Sequence, residues 1–305
     1  MEQYIKNHER RGEYIAAERD GGCVRYRSVF GWEDSAPGGG VIFSHRRTEY
    51  TRENFREGMH SHEYGELTIY IGGEVEYIAG DAVLTPRAGC AVSVPPGVMH
   101  TARLRSPSVY ERYVIYYTPR LFELAGALTP PLGFGGCGAQ ARIFPADSRV
   151  LECMAEAEGA ISSSDPCGGL AARSLITSAI WMLSAKGEEG AVAGGALTGE
   201  PARIKRYIDE NYASIQTIND VAAEFFYSRE HLSRTFGEHF NISPSEYLKS
   251  RRVQESLALL EHMSVADACY AVGFGNQTSY IAAFRRKMGC LPSEYKKRLA
   301  EGIRV

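Results

Sequence analysis

Hydrophobic and polar positions change rhythm three times along this chain. Between about residues 40 and 118 they alternate with period two, in runs such as Leu67-Thr68-Ile69-Tyr70-Ile71, Glu74-Val75-Glu76-Tyr77-Ile78, Ala91-Val92-Ser93-Val94 and Tyr113-Val114-Ile115-Tyr116-Tyr117. Gly and Pro interrupt these runs at short intervals, which predicts an all-β sandwich or barrel. From about Ser148 to Lys186 the period becomes helical, in segments Arg149 to Ile161 and Leu170 to Lys186 separated by the breaker cluster at 162–169. Gly187 to Gly199 is rich in Gly and Ala and poor in large apolar residues, so it reads as a flexible linker. The pattern after Pro201 is helical throughout. The expected organisation is a β domain over 1–125, a helical hairpin over 147–186, a linker over 187–199 and an all-α domain over 200–300.

Within the last hundred residues the chain repeats itself. Pro244-Ser245-Glu246-Tyr247 returns 48 residues later as Pro292-Ser293-Glu294-Tyr295, each copy eight residues after a Phe (Phe236, Phe284). A period of that length is one supersecondary unit copied, so two small helical modules are expected. In the first, a helix beginning at Ile218 is followed by a turn at Phe226-Tyr227, an N-cap at Ser228 and a helix over Arg229–His239. Leu232 and Phe236 lie four apart on its buried face, leaving Arg229, Ser233 and Arg234 off the stripe and His231 near its edge. In the second, Val265–Ala271 precedes the turn Val272-Gly273-Phe274-Gly275. Asn276 then caps a helix reaching about Met288, whose first turn holds Gln277, Thr278 and Ser279 and whose end holds Arg285 and Arg286. A short helix, a tight turn and a helix with a polar outer face is the helix-turn-helix plan, whose second helix enters the major groove. Between the modules, Ser243, Pro244 and Glu246 give an N-cap, a first-turn proline and a capping box. That rod should run to about His262, roughly 18 residues or ~27 Å. Two readers so joined would fit successive major grooves, about 34 Å apart.

Charge alters this picture little. The chain carries a net charge of −3, while from Glu200 onward 15 Lys+Arg stand against 13 Asp+Glu. Placement of the basic residues therefore matters more than their sum. Seven cysteines without knuckle or redox-pair spacing, and an amino terminus without an apolar core segment, point to a reduced, cytoplasmic protein with no membrane partner.

Residues 200–299 resemble the DNA-binding domain of AraC/XylS-type transcription regulators. The resemblance rests on Ser228-Arg229-Glu230-His231-Leu232-Ser233-Arg234-Thr235-Phe236, Ala268–Gln277, Phe284-Arg285-Arg286 and the two Pro-Ser-Glu-Tyr motifs. It implies base contacts through Glu230, Ser233 and Arg234 of the first reading helix. Relatives often carry an Arg where this chain has Ala282, so the first module is expected to supply most of the specificity and the second to anchor.

The β-rich part holds a second pattern. His60, His62 and Glu66 have the same parity, so on one unbroken strand all three would face one side, and His100 from a later strand could join them. The spacing, closed by Gly73 and followed by Gly89, Pro95, Gly97 and His100, resembles the two motifs of the cupin superfamily, with Leu104 at the position usually held by Asn. The implied fold class is α+β multidomain: an N-terminal cupin barrel or jelly roll, a helical connecting pair and a C-terminal double helix-turn-helix domain. Three imidazoles and a carboxylate suit a divalent metal, direct contact with a polar effector, or a hydrogen-bonded remnant. No cofactor is required by any of these, and a divalent metal in the pocket is the candidate. The many tyrosines would suit a sugar or related metabolite as effector.

These features imply a non-enzymatic, sequence-specific regulator of transcription that binds double-stranded DNA and is controlled by a small-molecule effector. The alternative is a metal-dependent cupin enzyme fused to a DNA-tethering domain. RNA polymerase is a candidate partner. A homodimer is expected through the apolar surface of Leu170, Leu175, Ile176, Ile180, Trp181 and Leu183.

Overall fold

The computed structural model describes residues 14–300 except 20–21, 34–39, 50–57, 105–108, 119, 125, 127–129, 132, 136–139 and 187–194. The amino-terminal stretch read for a leader, and most of the predicted linker, lie outside the described residues. Two compact units result, one formed by Met1–Phe55 and Glu63–Ala196, the other by Arg56–His62 and Leu197–Val305.

The N-terminal unit contains, in chain order, β1 (Tyr14–Arg19), β2 (Gly22–Glu33), β3 (Val41–Glu49), β4 (Gly65–Gly72), β5 (Val75–Ala79) and β6 (Ala82–Leu84). It continues with β7 (Cys90–Val94), β8 (His100–Leu104), β9 (Val109–Tyr117), α1 (Arg120–Leu124), β10 (Arg142–Pro145), α2 (Ser148–Ser162), α3 (Gly168–Ala185) and β11 (Gly195–Ala196). One sheet has the order β1-β2-β3-β9-β4-β7-β10 and the other β11-β6-β5-β8. The alternation seen in the sequence sorts side chains between two cores. Tyr70, Val92, Val94, Tyr110 and Ile143 of the larger sheet meet Val75, Tyr77, Leu84 and Ala102 of the smaller one. Their neighbours Leu67, Ile69, Ala91, Ile115 and Phe144 face the other way, onto Val150 and Met154 of α2 and Ile176, Ile180 and Leu183 of α3. The order is therefore sheet, sheet, helical hairpin. Each fully buried Leu, Ile or Phe contributes about 1.5–3 kcal/mol relative to exposure.

This arrangement corrects two expectations. Ile176, Ile180 and Leu183 are buried against the larger sheet, and only Leu170 and Trp181 of the predicted apolar surface are strongly exposed. The helix carries two apolar faces about a third of a turn apart, which a single run of hydrophobic residues merges. Gly195-Ala196, inside the span read as linker, pairs with Ala82-Val83 of β6.

The C-terminal unit is helical: α4 (Gly199–Asn211), α5 (Ile218–Glu224), α6 (Arg229–Phe240), α7 (Pro244–Leu259), α8 (Val265–Ala271), α9 (Gln277–Met288) and α10 (Pro292–Ala300). Side-chain oxygens of Ser228, Ser243, Ser264 and Asn276 each accept the backbone N–H three residues on and so fix the starts of α6 to α9. The connecting helix α7 has 16 residues, shorter than expected. Both His262 and Met263 donate to the Leu259 carbonyl, closing a turn where the helix was predicted to continue. At 1.5 Å per residue the rod is ~24 Å long.

Candidate functional site

Both modules share one backbone device. Helix α5 ends with Tyr227 N–H donating to Ala222 O at 2.8 Å and Phe226 at φ 57°. Helix α8 ends with Phe274 N–H donating to Cys269 O at 3.1 Å and Gly273 at φ 88°. A left-handed residue after a short helix reverses the chain sharply and points the next helix across the first. In the first module that residue is Phe226, 96% exposed.

Helix α6 buries Leu232, Phe236 and Phe240 and leaves Arg229, Glu230 and Arg234 exposed, with Ser233 and His231 half-buried. His231 is less a free reader than a link. Its Nε2 faces Glu200 Oε1 at 3.3 Å, its ring meets Tyr227 edge-on at 4.6 Å, and its Nδ1 accepts from Arg234 Nη2 at 3.3 Å. A ring protonated on Nε2 satisfies both polar contacts. The Tyr227 hydroxyl, assisted by His231, holds the Glu200 carboxyl below the ordinary carboxylate range. Glu200 and Tyr227 thus orient Arg234 through His231. Neither stands out in sequence, because Glu200 lies 31 residues from its partner.

Helix α9 buries Tyr280, Ala283 and Phe284 and exposes Gln277, Thr278 and Ser279. Asn276 accepts the Ser279 N–H at 2.8 Å through Oδ1, so its side-chain oxygen is committed to the cap. Arg285 is exposed, whereas Arg286 donates to Glu246 Oε2 at 2.8 Å. Glu246 also accepts from Lys249 at 2.9 Å. Ser243 does cap α7, but the carboxylate predicted to complete the capping box is turned to these two cations. At α5, Thr217 and Asp220 form both halves of such a box.

Strand β4 begins only at Gly65, so His60 and His62 precede the strand that carries Glu66. The parity argument on one unbroken strand fails for that reason. Glu66 and His100 stand on β4 and β8 of the N-terminal unit, whereas His60 and His62 stand on Arg56–His62, which groups with the C-terminal one. Backbone carbonyls orient two of the rings. His60 Nδ1 donates to Gly58 O at 2.9 Å and His100 Nδ1 to Val98 O at 2.8 Å, which leaves the lone pair of each neutral ring on Nε2. Glu66 Oε1 accepts from Thr68 Oγ1 at 3.0 Å and Tyr77 Oη at 3.2 Å, while its Oε2 lies 3.4 Å from His100 Nε2. A carboxylate oxygen and a ring nitrogen that both carry lone pairs repel at that distance unless they share a cation, either a metal ion or a proton. The donor set fits a divalent transition metal. Thr68 and Tyr77 are the holding residues that motif spacing did not reveal. Beside them Arg112 is buried, its guanidinium 3.8 Å from the Tyr110 ring centroid.

Residues 41–180 match the family described as "AraC-like ligand binding domain", and residues 221–298 match "Helix-turn-helix domain". The chain thus joins a ligand-binding domain of one described type to a DNA-binding domain of another. It belongs to the AraC-type regulators. It is 31% identical over 99 residues to the Msm operon regulatory protein of Streptococcus mutans, covering 32% of this chain and 36% of that protein. With the virulence regulon transcriptional activator VirF of Yersinia enterocolitica it shares 30% identity over 94 residues, covering 30% of this chain and 35% of that one. The chain spans about a third of the length of the curated relatives it matches. Among solved structures, unsaturated fatty acid-bound ToxT of Vibrio cholerae covers 87% of this chain and 96% of its own, with 12% identity and a TM-score of 0.40. The DNA-binding domain of AdpA in complex with a target DNA covers 34% of this chain and 98% of its own, with 24% identity and a TM-score of 0.32.

Proposed function

We propose that the chain is a sequence-specific, cytoplasmic transcription regulator. Its C-terminal unit reads double-stranded DNA, and its N-terminal unit binds a small-molecule effector. The observation that carries this reading is the paired set of turns and capped helices that leaves Arg229, Glu230, Ser233 and Arg234 on α6, and Gln277, Thr278 and Ser279 on α9, off the buried stripes. Arg234 is the reader suited to a guanine edge, Glu230 to a cytosine amino group and Gln277 to an adenine edge, while Arg229, Arg285 and Arg286 suit phosphates. Selection of tight-binding duplexes from a randomised pool tests this. Arg234→Ala should cost about 1–3 kcal/mol and relax preference at one base pair. Gln277→Ala should cost less. The reverse ranking would transfer the specificity to the second module.

The quartet His60, His62, Glu66 and His100 is proposed to hold a divalent metal that helps anchor a polar effector, a sugar or related metabolite among them. When bound, the metal would supply a Lewis-acidic site for an effector oxygen. The chain's own part is to present oriented Nε2 lone pairs and a carboxylate. Metal analysis of the purified protein should find about one equivalent, lost in His60→Ala and His100→Ala. No metal in the unsubstituted protein would assign the four side chains to direct effector contact or to hydrogen bonding alone. The same ligand set would support catalysis, so turnover of a small molecule by the metal-loaded protein would contradict a purely sensory role. An effector acts by binding one conformation better than another, for which no chemical step is needed.

A further inference from the structure

The connecting helix is not the sole tie between the two readers. Arg252, near the middle of α7, is 6% exposed, and no carboxylate among the described residues is bonded to it. Its Nε donates to the Tyr212 carbonyl at 2.8 Å and its Nη2 to the Ile215 carbonyl, so one guanidinium ties the start of the α4–α5 loop to its middle in the first module. The same guanidinium lies 5.7 Å from the ring centroid of Phe274, in the turn of the second module. The neighbouring Gly273 passes so close to that loop that a Cβ there would stand 2.4 Å from the Ala213 carbonyl oxygen. Tyr212 also packs on the second module's core around Val253, Phe274 and Tyr280. Loop, guanidinium and turn therefore form one three-way contact.

We infer that Arg252 is a positioning residue that locks the α4–α5 loop to the Gly273-Phe274 turn and so fixes the distance and rotation between α6 and α9. A rod alone leaves two modules free to swing at its ends, whereas a contact off its axis removes that freedom. The inference rests on the reading that both modules engage one duplex. Preorganisation of this kind raises affinity for the matching subsite spacing and penalises any other. One inserted base pair moves the second subsite by about 3.4 Å and about 36°.

The test uses the full chain on its selected duplex, with one base pair added or removed between the two subsites. The unsubstituted protein should lose affinity about tenfold or more on either altered spacing. Arg252→Met, which keeps volume but removes every donor, should bind the original duplex more weakly and vary less than about threefold across the spacings. Gly273→Ala should flatten the profile in the same way. If Arg252→Met fails to fold, as judged by its helical circular dichroism, Arg252→Lys carries the comparison, because one ammonium cannot reach both carbonyls in that geometry. A variant that only weakened the fold would lower affinity equally on all three duplexes. An unchanged steep profile in Arg252→Met, or an unsubstituted protein indifferent to spacing, overturns the inference.

Discussion

Phe226 and Gly273 occupy the same place in two copies of one turn, and only the glycine suits the backbone. A left-handed conformation costs a side chain with a Cβ about 1–2 kcal/mol, while glycine carries an entropic cost of about 0.5–1 kcal/mol. The Phe226 ring is 96% exposed, so removing it forfeits little burial. Phe226→Gly should therefore stabilise the C-terminal unit by roughly 0.5–1 kcal/mol, a rise in Tm of about 3–6 °C by calorimetry. An unchanged or lower Tm would mean that the ring contributes packing unseen in its exposure. At this scale the sequence was legible where a residue's role is local. Ser228, Ser243 and Asn276 were recognisable as caps from their neighbours alone. It was silent where the partner is distant, as for Tyr77, eleven residues from Glu66, and for Glu200 beneath His231.

At the scale of elements, caps decide where the helices begin and so where the reading side chains point. Loss of the Ser228 oxygen leaves an N–H of the first turn of α6 without its acceptor, so Ser228→Ala should destabilise the C-terminal unit by about 1 kcal/mol. Denaturant unfolding followed by circular dichroism checks this, and an unchanged midpoint would contradict it. Asp220 accepts the backbone N–H groups of Thr217 and Gln216, and the Thr217 contact above all lowers its pKa. A carboxyl whose folded pKa is depressed adds stability above its unfolded value of about 4, and that stability is lost as pH falls through the folded pKa. Asp220→Ala should lower Tm at neutral pH and flatten the acid limb of the Tm–pH curve below about pH 4. An acid limb as steep as in the unsubstituted protein would assign that limb to other carboxyls. Helices α8 and α9 matched their predicted bounds, because caps and a turn glycine frame both. Helix α7 was over-extended, because its apolar pattern continues through the turn that ends it. Strands β1 and β2 lie before residue 40, outside the alternation that was read as strand.

For the whole molecule, the β-rich region and the all-α C-terminal region were readable because each keeps its own period, two in the first and 3.6 in the second, whereas the helical hairpin read as a separate region packs on the larger sheet. The surface through which two copies would meet was not, since α3 presents apolar residues on two separate faces. Leu170 and Trp181 remain exposed there, and a homodimer through that face should be abolished by Trp181→Glu, with sedimentation giving a monomer mass. A dimer persisting in that variant would move the interface elsewhere. The central claim is that two helical readers grip one duplex. Hydroxyl-radical footprinting of the full chain on its selected duplex tests this most directly. Two protected segments about one helical turn apart on one face of the DNA are predicted for each bound subunit, with Arg234→Ala weakening protection in one segment and Gln277→Ala in the other. A single segment per subunit, or loss of protection in the same segment with both variants, would contradict it.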